Sequence, residues 1–223
     1  MTYVITFILA YCSIVYELVM AQSLSAFLGD TVLRYSTTVG LYLASMGVGA
    51  FLCRGRILRD SVNSLVKIEI LLSIIGGFSV VYLHLFDMLS PFASLFFILS
   101  HSLIIAIGIL TGFEIPLLIE IRRLEKEGTM NLVLGVNYIG ALSGTVIFPI
   151  LLLPKIGVLT IAFLTGSLNA VGGSLLLFKG GAEMRKGFPF LLLANFALGL
   201  VLLVGVLFSH PIGAFFIEKY LSG

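Results

Sequence analysis

The feature that most constrains this chain is a series of long apolar stretches, separated by short segments rich in charge, proline or glycine. A helix needs about 20 mostly apolar residues to cross a bilayer, because each residue rises about 1.5 Å through roughly 30 Å of hydrocarbon. Hydrophobic residues make up 59% of the 223 and charged residues only 11%, a balance that a water-soluble core cannot use. The pattern predicts an all-α, polytopic membrane helical bundle of about seven transmembrane helices. The predicted spans are Tyr3–Leu28, Leu33–Cys53, Val62–Phe86, Pro91–Ile119, Leu132–Leu153, Ile156–Phe178 and Phe188–Ser209.

We expect one bundle over residues 1–209 and a short C-terminal tail over residues 210–223. The tail is too short to span, and Ile212, Phe215 and Phe216 favour a short helix lying at the membrane interface. No segment alternates with the period of two that a membrane barrel requires, which excludes strands. The N-terminal stretch has no basic region and no small-residue cleavage site, so we interpret it as a retained first span.

The basic residues predict the orientation. Ten of the 13 lysines and arginines fall in or beside the segments that follow spans two, four and six: Arg54, Arg56, Arg59, Lys67, Arg122, Arg123, Lys126, Lys179, Arg185 and Lys186. Cytoplasmic loops carry an excess of basic residues. We therefore expect a multi-pass protein of a prokaryotic inner membrane with a cytoplasmic N-terminus and, with seven spans, an external C-terminus.

Charge and cysteine content restrict the partners. The net charge of +2 is small and lies in short loops, which gives no support for nucleic-acid binding. Cys12 and Cys53 lie in or beside apolar spans without a CxxC pattern, and the three histidines are scattered. We expect neither a disulfide framework nor a metal or other cofactor site. The partner that composition predicts is the lipid bilayer.

Two carboxylates interrupt apolar spans: Glu17 in span one and Glu114 in span four. A charged acid in mid-membrane costs about 2.5–3.5 kcal/mol on insertion scales, so such a residue faces protein or water and suggests a functional site. Pro116 removes a backbone donor close to Glu114 and predicts a kink there. The structural alternative is that each acid is neutral or hydrogen-bonded and holds helices together.

Other polar residues lie at comparable depth. Asn137 and Asn169 are expected to form hydrogen bonds between helices or to contact a solute, and Tyr16 is one of several tyrosines that could present an aromatic face to a cation. The candidate binding residues are therefore Glu17, Glu114, Asn137, Tyr16 and Asn169.

Small residues four apart predict close helix packing, because helices in lipid associate through close backbone approach. These positions are Ser36, Gly40 and Ala44 in span two, Gly140 and Gly144 in span five, and Thr165, Asn169 and Gly173 in span six. Glu17 is followed along the chain by Gly40, and Glu114 is followed in the same way by Gly140. This similarity leaves open an architecture of two inverted three-helix repeats plus one extra helix.

These residues carry a family resemblance. The chain resembles the membrane domain fused to bacterial spermidine-synthase-like proteins, the membrane-bound polyamine aminopropyltransferases. The resemblance lies in ELVMAQSLSAFLGDTVLRYSTTVGLYLASMGVGAFL from Glu17 to Leu52, GFEIPLL from Gly112 to Leu118, and NYIGALSGTVIFPILLLPKIG from Asn137 to Gly157. The soluble catalytic half of that family has no counterpart in the residues after Ser209. We therefore do not carry aminopropyl transfer over to this chain and expect it to be no enzyme by itself.

Three functions stay open from the sequence. The leading hypothesis is a membrane module that binds or transports a small cationic solute, with a polyamine as the candidate and Glu17 and Glu114 as anionic anchors. The second is a scaffold that docks a separate soluble aminopropyltransferase on its basic cytoplasmic loops. The third is a membrane-embedded enzyme with one glutamate as base, for which the sequence shows no nucleophile or metal ligands.

Overall fold

In the computed structural model, which describes residues 1–89, 92–124, 130–176 and 188–222, the chain is all-helical and the described residues contain no strand. The helices are α1 Thr2–Leu28, α2 Thr31–Leu52, α3 Arg56–Arg59, α4 Ser61–Ile75, α5 Ser79–Leu89, α6 Ala93–Gly112, α7 Glu114–Leu124, α8 Met130–Ile147, α9 Leu153–Ser174 and α10 Phe188–Ser222. A π-helical turn, Phe148–Leu152, joins α8 to α9. The predicted helical class is confirmed.

Four stretches are long and apolar enough to cross a bilayer: Thr2–Leu28, Ala93–Leu124, Met130–Ser174 and Phe190–Lys219. A fifth, Ser61–Ile75 with Ser79–Leu89, qualifies when its two helices are taken as one bent span. These helices are compatible with a membrane protein, while seven spans and the inverted repeat stay predictions. The 45-residue stretch Met130–Ser174 contains predicted spans five and six, and its backbone leaves helical geometry at Gly157, where φ is 73°.

Two interruptions between successive helices matter for the site below. The α4–α5 pair bends by 47° at the residues between Ile75 and Ser79. Only Phe113, three residues before Pro116, separates α6 from α7, and its backbone angles are helical, so the kink stays a prediction. Proline has no N–H to donate to the carbonyl four residues earlier, here Gly112, so the helix is weakest at this turn.

α1 lies at the centre of the described helices and packs against α2, α8 and α9. Glycines bring α8 onto α1: a Cβ on Gly140 would lie 2.6 Å from the carbonyl oxygen of Phe7, and one on Gly144 would overlap Ile14. The predicted role of Gly140 and Gly144 in close packing is confirmed. Large apolar side chains fill the core around α1, with Leu9 and Met20 completely buried.

The predicted packing face of α2 is wrong. Gly40 and Ala44 are exposed, and a Cβ on Gly40 would meet nothing within 4 Å. The buried face carries Tyr42 and Gly49 instead, and Gly49 approaches the backbone of α6 at Ile109. The hydroxyl of Tyr42 finds partners inside the bundle, and this decides which side of α2 turns inward. Gly40 is therefore no structural counterpart of Gly140, which removes one of the two resemblances behind the predicted repeat.

α10 continues across the expected start of the C-terminal tail. The helix runs from Phe188 to Ser222 with Pro211 inside it. The predicted tail is helical, as expected, but it is not a separate element. Phe216 folds against His84 of α5, with ring centroids 4.5 Å apart, so this end of α10 packs on the bundle.

Candidate functional site: a buried carboxyl cluster

Glu114 is the first residue of α7, directly after the break at Phe113. Its side chain is 3% exposed, and its Oε1 atom has no hydrogen-bond partner among the described residues. Phe113 has helical backbone angles, and Pro116 follows Glu114 by two residues. Proline is tolerated in membrane helices because neighbouring groups satisfy the backbone carbonyl that it leaves without a donor.

Glu69 lies on α4 and is completely buried. The amide nitrogen Nδ2 of Asn169, on α9, donates to the Oε2 atom of Glu69 at 2.7 Å. The same nitrogen lies 3.3 Å from the Glu69 carbonyl oxygen and 3.4 Å from the Ser73 hydroxyl. The Glu69 Oε1 atom and the Asn169 Oδ1 atom keep no partner. This contact joins residues 100 positions apart and fixes α9 against α4.

Tyr16 of α1 completes the group. Its side chain is completely buried, and its hydroxyl has no partner among the described residues. The ring packs over the bend between α4 and α5, where a Cβ on Gly76 would lie 2.6 Å from it. The hydroxyl lies within electrostatic range of both Glu69 and Glu114, and these two carboxyl groups lie within range of each other. We call Tyr16, Glu69, Glu114 and Asn169 the carboxyl cluster.

Tyr42 of α2 connects Glu17 to the carboxyl cluster. Its hydroxyl donates to the Ser13 carbonyl oxygen at 3.0 Å and lies 2.9 Å from the Thr111 hydroxyl. Both Glu17 and Glu114 lie within electrostatic range of this hydroxyl. Glu17 is 4% exposed. Glu17 follows Tyr16 directly on α1.

No ion pair to a described lysine or arginine compensates these acids. In the part of the chain that the structure describes, no lysine or arginine forms an ion pair with Glu17, Glu69 or Glu114. The ion pair found there joins Arg123 to Glu120 on the surface of α7. Buried charges are normally paired or bound to an ion, because an isolated ionised carboxylate is strongly disfavoured in a low-dielectric interior. The arrangement can therefore hold a cation or protons.

The structure groups the predicted site residues unequally. Tyr16 and Glu114 lie within electrostatic range of Glu69, to which Asn169 donates a hydrogen bond. Glu17 lies within electrostatic range of Tyr42. Asn137 lies on α8, partly exposed, and its side chain forms no hydrogen bond with the described residues. The structure thus does not bring Asn137 into the carboxyl cluster.

Sequence reasoning missed Glu69. Lys67 lies two positions earlier and made this segment resemble a charged flank at the membrane surface. One signal could have revealed it: Glu69 and Ser73 are four apart on α4, and they form a polar stripe like that of Thr165 and Asn169 on α9.

Across the described residues, no group of three or more His, Cys, Asp or Glu side chains is arranged to hold a metal ion.

Three relatives illustrate what this chain is similar to. A polyamine aminopropyltransferase of Leptospira interrogans is 37% identical over 170 residues, which cover 75% of this chain and 33% of the relative. One of Oceanobacillus iheyensis is 32% identical over 217 residues, or 95% of this chain and 41% of the relative. Polyamine aminopropyltransferase 2 of Streptomyces coelicolor is 33% identical over 207 residues, or 88% and 37%.

The chain is similar to bacterial polyamine aminopropyltransferases. This similarity supports the resemblance to the spermidine-synthase-like family. The chain spans only 33% to 41% of the length of these three relatives. No family model matches the chain, and no solved structure matches it.

Proposed function

We propose that this chain is an integral membrane module, with its N-terminus in the cytoplasm of a prokaryotic inner membrane, that binds or transports a small cationic solute at the carboxyl cluster. One observation carries the proposal. Glu69 and Glu114 are both buried within electrostatic range of each other, each has an oxygen without a hydrogen-bond partner, and no described lysine or arginine forms an ion pair with them.

The unpartnered atoms identify the chemistry of the missing group. Glu69 Oε1, Glu114 Oε1 and Asn169 Oδ1 are all acceptors, and the Tyr16 hydroxyl can also accept. Buried polar atoms normally have hydrogen-bond partners. A ligand that donates hydrogen bonds would therefore satisfy these acceptor atoms. A protonated amine supplies three N–H donors and a positive charge at one point. It would satisfy the free oxygens and neutralise a carboxylate at the same time.

A polyamine is the solute class that we favour. The names of the relatives associate those proteins with polyamines. A polyamine carries several ammonium groups along a flexible chain, and separated acids are suited to such a ligand. Here Glu69 and Glu114 lie within electrostatic range of each other and would contact one ammonium group, and Glu17, within range of Tyr42, would contact a second one.

Two helix breaks border the cluster and suggest how the site opens. The cluster is buried in the described structure, so a solute reaches it only after a helix moves. Tyr16 packs on the α4–α5 bend at Gly76, and Glu114 follows the α6–α7 break at Phe113. Hinges in proteins are a few residues at helix ends or loops that absorb the change in backbone angles. These two breaks are the hinges that we propose.

The test is binding of radiolabelled spermidine to the purified protein in lipid nanodiscs. Glu69→Gln and Glu114→Gln preserve shape and remove charge. Since a hydrogen bond to a charged group contributes about 1.5–3 kcal/mol, each variant should bind about 10- to 150-fold more weakly. Glu120→Gln is the control, because Glu120 pairs with Arg123 away from the cluster, and it should bind like the original chain. Unchanged affinity in both cluster variants would refute the proposal.

A second candidate function is a membrane scaffold for a soluble aminopropyltransferase. The observation that favours it is that the relatives, named as enzymes, have more than half of their length outside the match with this chain. The membrane module would then hold such an enzyme near the bilayer, with the short α3 and its Arg56 and Arg59 among the basic contacts. Co-purification of an aminopropyltransferase that depends on these arginines would favour the scaffold. Spermidine binding that depends on Glu69 would favour the solute site.

A further inference from the structure

A cavity of about 460 Å³ lies away from the carboxyl cluster. It lies between the C-terminal end of α1, α5, the first turns of α9 and the last turns of α10. The predicted orientation places this end of the bundle on the outer side of the membrane. The volume is within the range of about 300–1,000 Å³ that is usual for small-molecule sites.

The lining combines one acid with aromatic rings. The described side chains around the cavity include Asp87 and no lysine or arginine. Asp87 forms no hydrogen bond or ion pair with any described residue. His84 stacks on Phe216 with an angle of 10° between the rings, and Phe27 meets His84 edge-on with centroids 5.0 Å apart.

The remaining walls are apolar. Val80, Val158, Leu159 and Ile217 line the cavity from α5, α9 and α10. A ligand that suits this lining has a positive head for the Asp87 carboxylate and the aromatic side chains beside it. Its body should be a methylene chain that the aliphatic wall can bury at about 0.8 kcal/mol per CH₂. An alkylammonium ion has both features.

We infer that this cavity is a second, outer binding site for an alkylammonium group, with Asp87 as its anionic contact. In the context of the proposed function, on which this role rests, it is the vestibule that receives the solute before the carboxyl cluster does. Glu17 and Gln22 lie on successive turns of α1, which leads from the edge of the cluster to the cavity wall. A polyamine has ammonium groups at both ends and methylenes between them, so one ligand chemistry serves both sites.

The test is protection of a cysteine in the cavity. Met88 lines the cavity and is 43% exposed, whereas its neighbour Leu89 is 76% exposed and does not line it. Met88→Cys and Leu89→Cys are made in a background without Cys12 and Cys53, and each is treated with an impermeant thiol reagent. Spermidine should slow modification of Met88→Cys at least fivefold and leave Leu89→Cys unchanged. Adding Asp87→Asn should abolish the protection.

Glu114→Gln separates this inference from the proposed function. If both are right, Met88→Cys stays protected in the Glu114→Gln variant, because the outer site does not need the inner acid. Protection that survives Asp87→Asn overturns the inference. So does an absence of protection at every spermidine concentration up to about 10 times that which half-saturates the radiolabelled site, since a tenfold excess gives near-saturation by mass action. Protection that depends on Asp87, together with radiolabel binding that ignores Glu69 and Glu114, keeps the outer site and overturns the inner one.

Discussion

The hydrogen bond between Asn169 and Glu69 should stabilise the fold by a measurable amount. Asn169→Ala removes the 2.7 Å contact with the Glu69 carboxyl group and the two longer contacts of the same nitrogen, at 3.3 and 3.4 Å. Both residues are completely buried, so no bulk water replaces the lost partner. The variant should therefore be less stable, and the loss should depend on the carboxyl group.

The size of the loss follows from the geometry. Hydrogen bonds to charged groups contribute about 1.5–3 kcal/mol in soluble proteins, but bonds between membrane helices average about 0.6 and reach about 1.7 kcal/mol. One short bond and two long ones place Asn169→Ala near the upper end, at about 1–2 kcal/mol. In a Glu69→Leu background the short bond is already absent. The same substitution should then cost about 1 kcal/mol less, and this difference is the coupling energy.

The assay is equilibrium unfolding in mixed micelles with increasing sodium dodecyl sulfate, followed by circular dichroism. Thr160→Val is the matched control. Its hydroxyl donates to the Ser209 hydroxyl at 2.9 Å, so it also joins α9 to another helix, but it lies nine residues before Asn169. Thr160→Val should cost the same with Glu69 or Leu at position 69. An Asn169→Ala effect that is equal in both backgrounds would show that the contact does not stabilise the fold.

Three further outcomes are expected. Gly112→Ala should destabilise the α2–α6 contact by about 1–3 kcal/mol because its Cβ would overlap the Met46 carbonyl oxygen, whereas Gly135→Ala has open space and should be neutral or stabilising in the same unfolding assay. In a cysteine-free background, a cysteine at Asp60 should resist an impermeant reagent added to intact cells and one at Asp30 should react; the opposite pattern would reverse the orientation. The purified 223-residue chain should form no spermidine from decarboxylated S-adenosylmethionine and putrescine, because the segments between its predicted spans are too short to build a nucleoside pocket; clear turnover in a chromatographic assay would contradict this expectation.

Glu114 could be predicted from the sequence, and Glu69 could not. Glu114 is conspicuous because it interrupts the apolar stretch of α6 and α7, where lipid solvates charge poorly. Pro116 follows it two residues later. Glu69 follows Lys67 and looks like part of a surface segment. Only the packing of α4 against α9 shows that it turns inward, where the Asn169 amide nitrogen donates a hydrogen bond to its carboxyl group.

The inward face of α2 was also decided by tertiary contacts. The spacing of small residues by four predicted close helix packing at both Gly40 and Gly140, since both are small residues in apolar helices. In the structure Gly140 lies against the backbone of α1 and Gly40 is exposed. The hydrogen bonds of Tyr42 to Ser13 and Thr111 fix the rotation of α2, and a one-dimensional pattern does not contain partners 29 and 69 residues away.

The sequence by itself determined the helical class and indicated the helix interruption just before Pro116. Apolar length sets helix formation in a chain of this composition, and proline lacks a backbone donor wherever it stands. The tertiary structure alone decided which acids share one site and which helix faces meet. Burial of a polar group depends on every helix around it, and those helices come from distant parts of the chain. That is why Asn137, as polar as Asn169 and in a helix as apolar, lies outside the carboxyl cluster.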